Sequence, residues 1–241
     1  MRRLLLSCVG LMAMAGALSA NPLCTANSMA YYMANYTDAN TACQVGDKLF
    51  FGFNYSVTAR GTTGPTNTQV TVTGDSSNPN EPGLVFASSG WSVSGNATLL
   101  NPLYIDSNIT FTVAVVGLQP LMVGATLDML GHYTVGGQGV ANIGETVLIN
   151  GGSSGSVGLA VDSNAGPYTD SKSFAPASFV RVSKDLIVTV PRPLTGTNSG
   201  SASISQFREG FSELTSTPEP LTFTLLGSGL IGLAMVRRRR R

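Results

Sequence analysis

From Lys48 onward, apolar and polar side chains alternate along most of the chain. Leu49, Phe51, Phe53, Tyr55 and Val57 take every second place, with Phe50 as the exception. A period of two predicts a strand with one buried face, here ending at the turn Arg60-Gly61-Thr62-Thr63-Gly64-Pro65. Val70 and Val72 alternate with threonines, and Gly74 to Gly83 reads as a polar loop with two prolines. Leu84 to Ala87 and Trp91 to Val93 predict short strands. Ile109, Phe111, Val113 and Val115 form one alternating run; Leu121, Val123, Ala125, Leu127 and Met129 form the next. Gln119-Pro120 breaks between them, which predicts two adjacent antiparallel strands joined by a tight turn. Val147 and Ile149 precede a Gly/Ser turn at Asn150 to Ser156, and Val157, Leu159 and Val161 follow it. Phe179 to Val182 and Leu186 to Val190 bracket Lys184-Asp185, and Ala202, Ile204 and Phe207 make a last strand.

One segment has a different period. Met29, Tyr32, Met33 and Tyr36 fall on one face of a helix, with Asn27 or Ser28 as its cap. A Met/Tyr stripe at that spacing is a packing surface. About a dozen short strands separated by Gly, Pro, Asn and Ser turns predict a mainly β fold. The expected form is an antiparallel β-sandwich, with a jelly-roll-like arrangement as one version of it. A short N-terminal helix precedes it. The absence of crossover helices excludes a parallel βαβ architecture.

The two ends of the chain carry export signals. Arg2 and Arg3, the apolar stretch Leu4 to Leu18, and the small residues of Ala17-Leu18-Ser19-Ala20 predict a secretory signal peptide over residues 1–20. It is cut after Ser19 or Ala20, which implies the Sec machinery and signal peptidase as partners. At the other end, Leu221 to Val236 is uncharged. Its sixteen residues span about 24 Å at a rise of about 1.5 Å each. That is slightly short of a bilayer core about 30 Å thick, and flanking arginines can snorkel to make up the difference. Arg237, Arg238, Arg239, Arg240 and Arg241 would lie on the cytoplasmic side. Pro218-Glu219-Pro220 just before the run cannot continue a helix and stays extended and accessible.

Residues 217–241 resemble the PEP-CTERM sorting signal of Gram-negative bacteria, which joins a Pro-Glu-Pro motif, a short Leu/Gly-rich transmembrane helix and a terminal arginine cluster. The resemblance covers about a tenth of the chain. It implies recognition at Pro218, Glu219 and Pro220 by an exosortase, a membrane-embedded cysteine transpeptidase that would cut near the motif and transfer the protein to an envelope acceptor. The start of the first long strand, Cys43-Gln44-Val45-Gly46-Asp47-Lys48-Leu49-Phe50, resembles a group of exported PEP-CTERM proteins with a Cys-x-x-Gly-Asp-Lys-x-Phe start. The expected organisation is a signal peptide at 1–20, a sandwich at 21–211, a linker at 212–216 and the sorting signal at 217–241. The protein would pass through an inner-membrane intermediate, held by the C-terminal helix, to the cell envelope or extracellular surface.

Charge and cysteines refine this picture. The whole chain carries a formal +1, but seven of its fourteen basic residues lie in the two ends. The exported part keeps seven basic and twelve acidic residues, a net charge of −5, and lacks the basic face that nucleic-acid binding needs. Cys8 leaves with the signal peptide, so Cys24 and Cys43 remain in an oxidising compartment. A disulfide is the economical reading. Metal ligation or a reactive thiol are the alternatives, and neither has a histidine or third cysteine nearby.

Candidate chemistry is sparse. Gly151-Gly152-Ser153-Ser154-Gly155 matches G-x-S-x-G, but a nucleophile elbow needs strand, sharp turn and helix, whereas this Gly/Ser run joins two strands. His132, the one histidine, reads as a turn or surface residue. Asp106, Asp128, Glu145, Asp162 and Asp170 are scattered, with no pair placed for glycoside hydrolysis. Asp162-Ser163-Asn164-Ala165-Gly166 could hold calcium but lacks an EF-hand ligand set. Gly227-Ser228-Gly229-Leu230-Ile231-Gly232 matches G-x-G-x-x-G without the βαβ context that a dinucleotide site needs. Trp91 reads as core, with an exposed glycan platform as the competing reading; Tyr104 is placed in a loop. No cofactor, metal site or catalytic residue is expected. The sequence-based expectation is a non-enzymatic surface or matrix protein with a structural or adhesive role and exopolysaccharide as a partner. A carbohydrate-binding module is the alternative, and a secreted hydrolase the second alternative.

Overall fold

A computed structural model describes residues 21–117, 120–135 and 138–214. The signal peptide, the end of the linker and the whole sorting signal (Pro218, Glu219, Pro220, the apolar run and Arg237 to Arg241) lie outside the described residues. In chain order the elements are β1 (Asn27–Ser28), α1 (Met29–Asn35), β2 (Cys43–Val45), β3 (Lys48–Arg60), β4 (Thr71–Asp75), β5 (Gly83–Ala87) and β6 (Ser92–Thr98). They continue with β7 (Leu103–Val115), β8 (Met122–Val135), β9 (Val140–Ile149), a 3₁₀ turn at Asn150–Gly152, β10 (Ser156–Asp162), β11 (Thr169–Ala177), β12 (Phe179–Val190) and β13 (Thr197–Glu213).

The strands form two antiparallel sheets packed face to face. One has six strands in the order β10-β9-β12-β7-β3-β2. The other has seven, in the order β1-β4-β5-β13-β8-β11, with β6 also paired to β13. The inward rows of both sheets fill one core, and Phe50, Phe86, Phe111, Phe207 and Phe211 are all buried within it. Stacked and tilted contacts join them across the layers, Phe86 lying 5.0 Å from Phe207 and 5.7 Å from Phe111. Trp91 is fully buried, donating its Nε1–H to Ser107 Oγ at 3.2 Å.

The N-terminal segment closes one edge of the sandwich. The Ser28 side chain accepts from the Tyr31 amide and caps α1. Met29, Tyr32 and Tyr36 are buried, and Tyr32 meets Phe53 edge-on at 5.0 Å. Cys24 and Cys43 are joined by a disulfide. The Cys24 amide donates to Gln44 on β2, while its carbonyl accepts from Gly74 on β4. One residue thus links a strand of each sheet.

Several details depart from the alternation. Phe50, not Leu49 or Phe51, points into the core, because a bulge between Phe51 and Asn54 reverses the facing of β3. Gly52 takes φ +67° there, a conformation open to glycine. The runs of β7 and β8 are not a hairpin. β7 lies between β3 and β12 in the six-stranded sheet, and the chain then crosses to the other layer, where β8 lies between β11 and β13. A period of two shows which face of a strand is buried but not which layer the strand joins. Phe179 to Val190 is one continuous strand, with Lys184 turned inward. Tyr104 and His132 lie within β7 and β8 rather than in loops or turns. β11 carries a polar, largely exposed sequence that has no clear alternation.

The inward Lys184 has partners. It stands directly opposite Glu145 on β9, and Glu209 reaches it from β13 in the facing sheet. All three side chains are sealed from solvent. Lys184 Nζ lies 2.6 Å from Glu209 Oε2, is also bonded to Glu145 Oε2, and sits 5.6 Å from the Phe207 ring centroid. Burial, and then the neighbouring Glu145 charge, push the Glu209 carboxyl well above the usual carboxylate range. Two further cations are held in a similar way. Lys48 is buried between Asp47 at 2.6 Å and Glu213 at 2.7 Å. On the outer face of the seven-stranded sheet, Arg208 is bonded to Asp75, to Asp128 at 3.3 Å and to the Glu81 carbonyl at 2.6 Å.

Candidate functional site

The outer face of the six-stranded sheet is where the described residues offer polar groups to solvent in an ordered array. Register sets the array. Asp185 on β12 lies between Gly144 on β9 and Asn108 on β7. In the next row, Ile187 lies between Asn142 and Asp106, and Asp162 on β10 stands beside Asn142. Alternation sends Lys184 and Leu186 inward and Asp185 and Ile187 outward, so one strand serves the core and this face together.

A depression of about 420 Å³ lies along these rows, lined among others by Asn142, Gly144, Asp162, Pro167, Asp185 and Ile187. Gly144 forms part of its floor. A side chain added there would meet nothing within 4 Å, so the position is open to the groove. The turn after β10 forms a rim. Asp162 Oδ1 accepts from the amides of Asn164 at 2.7 Å and Ala165 at 3.2 Å, and Asn164 donates to the Gly139 carbonyl at 2.8 Å. The candidate calcium turn is therefore closed by its own backbone amides, which take up one oxygen of the Asp162 carboxylate. Among the described residues, no three His, Cys, Asp or Glu side chains come together as a metal site.

Asp185 is pushed above the ordinary aspartate range, by burial first and then by a hydrogen bond and the like charge of Asp106. Such a face offers carboxylate and amide acceptors together with amide donors, the complement of a ligand rich in hydroxyl groups.

The other sequence candidates are dispersed. Ser153 lies in the turn between β9 and β10 in the six-stranded sheet, its hydroxyl donating to the Asn150 carbonyl at 2.9 Å. His132 lies in the opposite sheet and stacks on Tyr168 at 4.3 Å. The two are not brought together. Trp91 is core and offers no platform. Glu145 is turned into the core, while Asp128 and Asp170 are held by Arg208 and Lys172. Sequence reasoning missed Asp185 and Asn142, because the groove depends on which strands pair and in what register.

Two facing antiparallel sheets, with the N-terminal segment joined to β2 by a disulfide, define this chain as a β-sandwich protein with a polar groove on an outer face. No family model and no curated protein matches the sequence. Among solved structures, the chain is similar to TmCBM61 in complex with β-1,4-galactotriose, at 12% identity over 64% of this chain and 86% of that one, with a TM-score of 0.27. A likeness that low carries no argument about the ligand of this chain.

Proposed function

We propose that the chain is a non-enzymatic exported surface protein, released from a membrane intermediate by an exosortase. Its β-sandwich would take a structural or adhesive place in an exopolysaccharide-containing envelope. The observation that carries this reading is the Cys24–Cys43 disulfide, which ties the first segment of the fold to β2 and suits an oxidising compartment. It agrees with the export signals read at both ends of the sequence. The test is intact mass and cell fractionation of the protein from its host, with and without the exosortase. Loss of Leu221 to Arg241 in the wild type and retention in the mutant is the expected result. Retention in both strains overturns the sorting reading.

A second reading, glycan binding, is favoured by the groove over Gly144. Its lining of Asn142, Asp162 and Asp185 supplies hydrogen-bonding partners for sugar hydroxyls. The test is binding of the host's own exopolysaccharide by the wild type and by Gly144→Gln, which fills the groove. Equal binding by both removes the groove from consideration.

A further inference from the structure

A lysine and two glutamates sealed in an apolar core are weak contributors to equilibrium stability. Ion pairs in such surroundings rarely repay the cost of leaving water, and apolar side chains of similar volume would serve at least as well. Here the triad is also imperfectly satisfied. Glu145 Oε1 and Glu209 Oε1 are both buried with no hydrogen-bond partner. The lateral neighbours in register are Ile109 beside Lys184, and Leu84 and Leu127 beside Glu209, all buried. With both glutamates ionised the triad would carry a net negative charge with no counter-ion, so one proton more than the ordinary ionisation states belongs in the core.

We propose that Lys184 and Glu145 become joined by an intramolecular amide bond, with Glu209 as the proton carrier. The inference is independent of the sorting and glycan readings. Lys184 and Glu145 are direct cross-strand partners on β12 and β9, which holds nucleophile and electrophile in contact without any movement of the backbone. The reaction starts when a proton crosses the Lys184–Glu145 contact, leaving a neutral amine beside a carboxylic acid. The Lys184 Nζ lone pair then attacks Glu145 Cδ and a C–N bond forms. Glu209, 2.6 Å from Nζ, takes a proton from the nitrogen as it hands its own to the departing hydroxyl. The C–O bond breaks and one water leaves. The amine and the carboxylic acid become an amide and water, Glu209 ends as it began, and no oxidant or activating group is needed. Exclusion of water both favours the condensation and protects its product.

The experiment is a peptide map of the exported protein purified from its host, with the disulfide reduced. The expected result is a branched peptide carrying residues 145 and 184, lighter than the sum of its parts by the mass of one water, with no tryptic cut after Lys184. Recovery of Lys184 and Glu145 in separate unmodified peptides from the folded wild type overturns the proposal, whatever the behaviour of any variant. Glu209→Gln keeps the shape of the side chain and removes the proton carrier, so its folded form should yield the separate peptides. A branched peptide formed at the wild-type level in that variant overturns the role given to Glu209.

Discussion

Breaking the Cys24–Cys43 disulfide should cost this fold about 3 kcal/mol. The two cysteines are 19 positions apart, and in the chain-entropy treatment a loop of that size removes about 11 cal/mol/K from the unfolded ensemble. Both cysteines are buried, so the thiols left by reduction keep most of their packing, and the loss falls on the unfolded state. The backbone on either side is already fixed by Cys24 to Gln44 and Gly74 to Cys24 hydrogen bonds, so the native geometry has no need to change on reduction. The assay is urea unfolding followed by tryptophan fluorescence, since Trp91 is the single tryptophan and lies in the core. With a slope of about 2 kcal/mol per molar urea, reduction moves the midpoint down by about 1.5 M. An unchanged midpoint in a sample shown by thiol titration to be reduced would refute the reasoning. It would mean that segment 22–28 contributes nothing to the cooperative unit.

Three further outcomes follow from the same geometry. Asp185→Asn should raise stability at neutral pH. Its carboxyl has a folded-state pKa above the unfolded one, so the native fold gains stability as pH falls through that window, and the variant loses this gain in a pH series of urea midpoints. Gly144→Gln should leave the urea midpoint unchanged or raise it slightly, because the position is open and glycine is a weak strand former, while blocking any ligand of the groove. Arg208→Ala removes the cation shared by Asp75, Glu81 and Asp128 and should cost about 2–3 kcal/mol in the same assay, from lost charge-assisted hydrogen bonds. In that variant Asp75 also loses one of the interactions that hold its pKa down against burial, so part of the acid sensitivity of the wild type disappears.

The sandwich is legible in the sequence because an apolar side chain at every second position is the mark of a strand with one face in a core. Ser28 and the Met29, Tyr32, Tyr36 stripe are legible in the same way at a period of 3.6. What alternation conceals is pairing. The runs of β7 and β8 have equally good inward faces, and nothing in either reveals that they belong to different layers. Phe50 escapes the pattern because a single glycine bulge reverses the facing of a strand, and its mark on the sequence is one extra residue. Lys184-Asp185 reads as a break between two strands, since a charged pair at that place normally faces water. It continues the strand because Glu145 and Glu209, 39 and 25 positions away, supply partners that the local sequence does not show. The groove is hidden for a related reason, since Asp185, Gly144 and Asn142 become neighbours only through register.

β13 is the last element among the described residues, and its length bears on how the molecule carries load. Seventeen residues at about 3.3 Å each make a strand of roughly 55 Å. It is paired with β8 along one side and with β6 and then β5 along the other. A pull on the chain at Leu214, resisted anywhere on the six-stranded sheet, acts along the axis of β13. Its ladder bonds are then strained together in shear instead of opening one after another like a zip. The Glu209–Lys184 and Glu213–Lys48 contacts brace the same strand against the opposite layer. A fold built this way resists tension through its unfolding rate more than through its equilibrium stability.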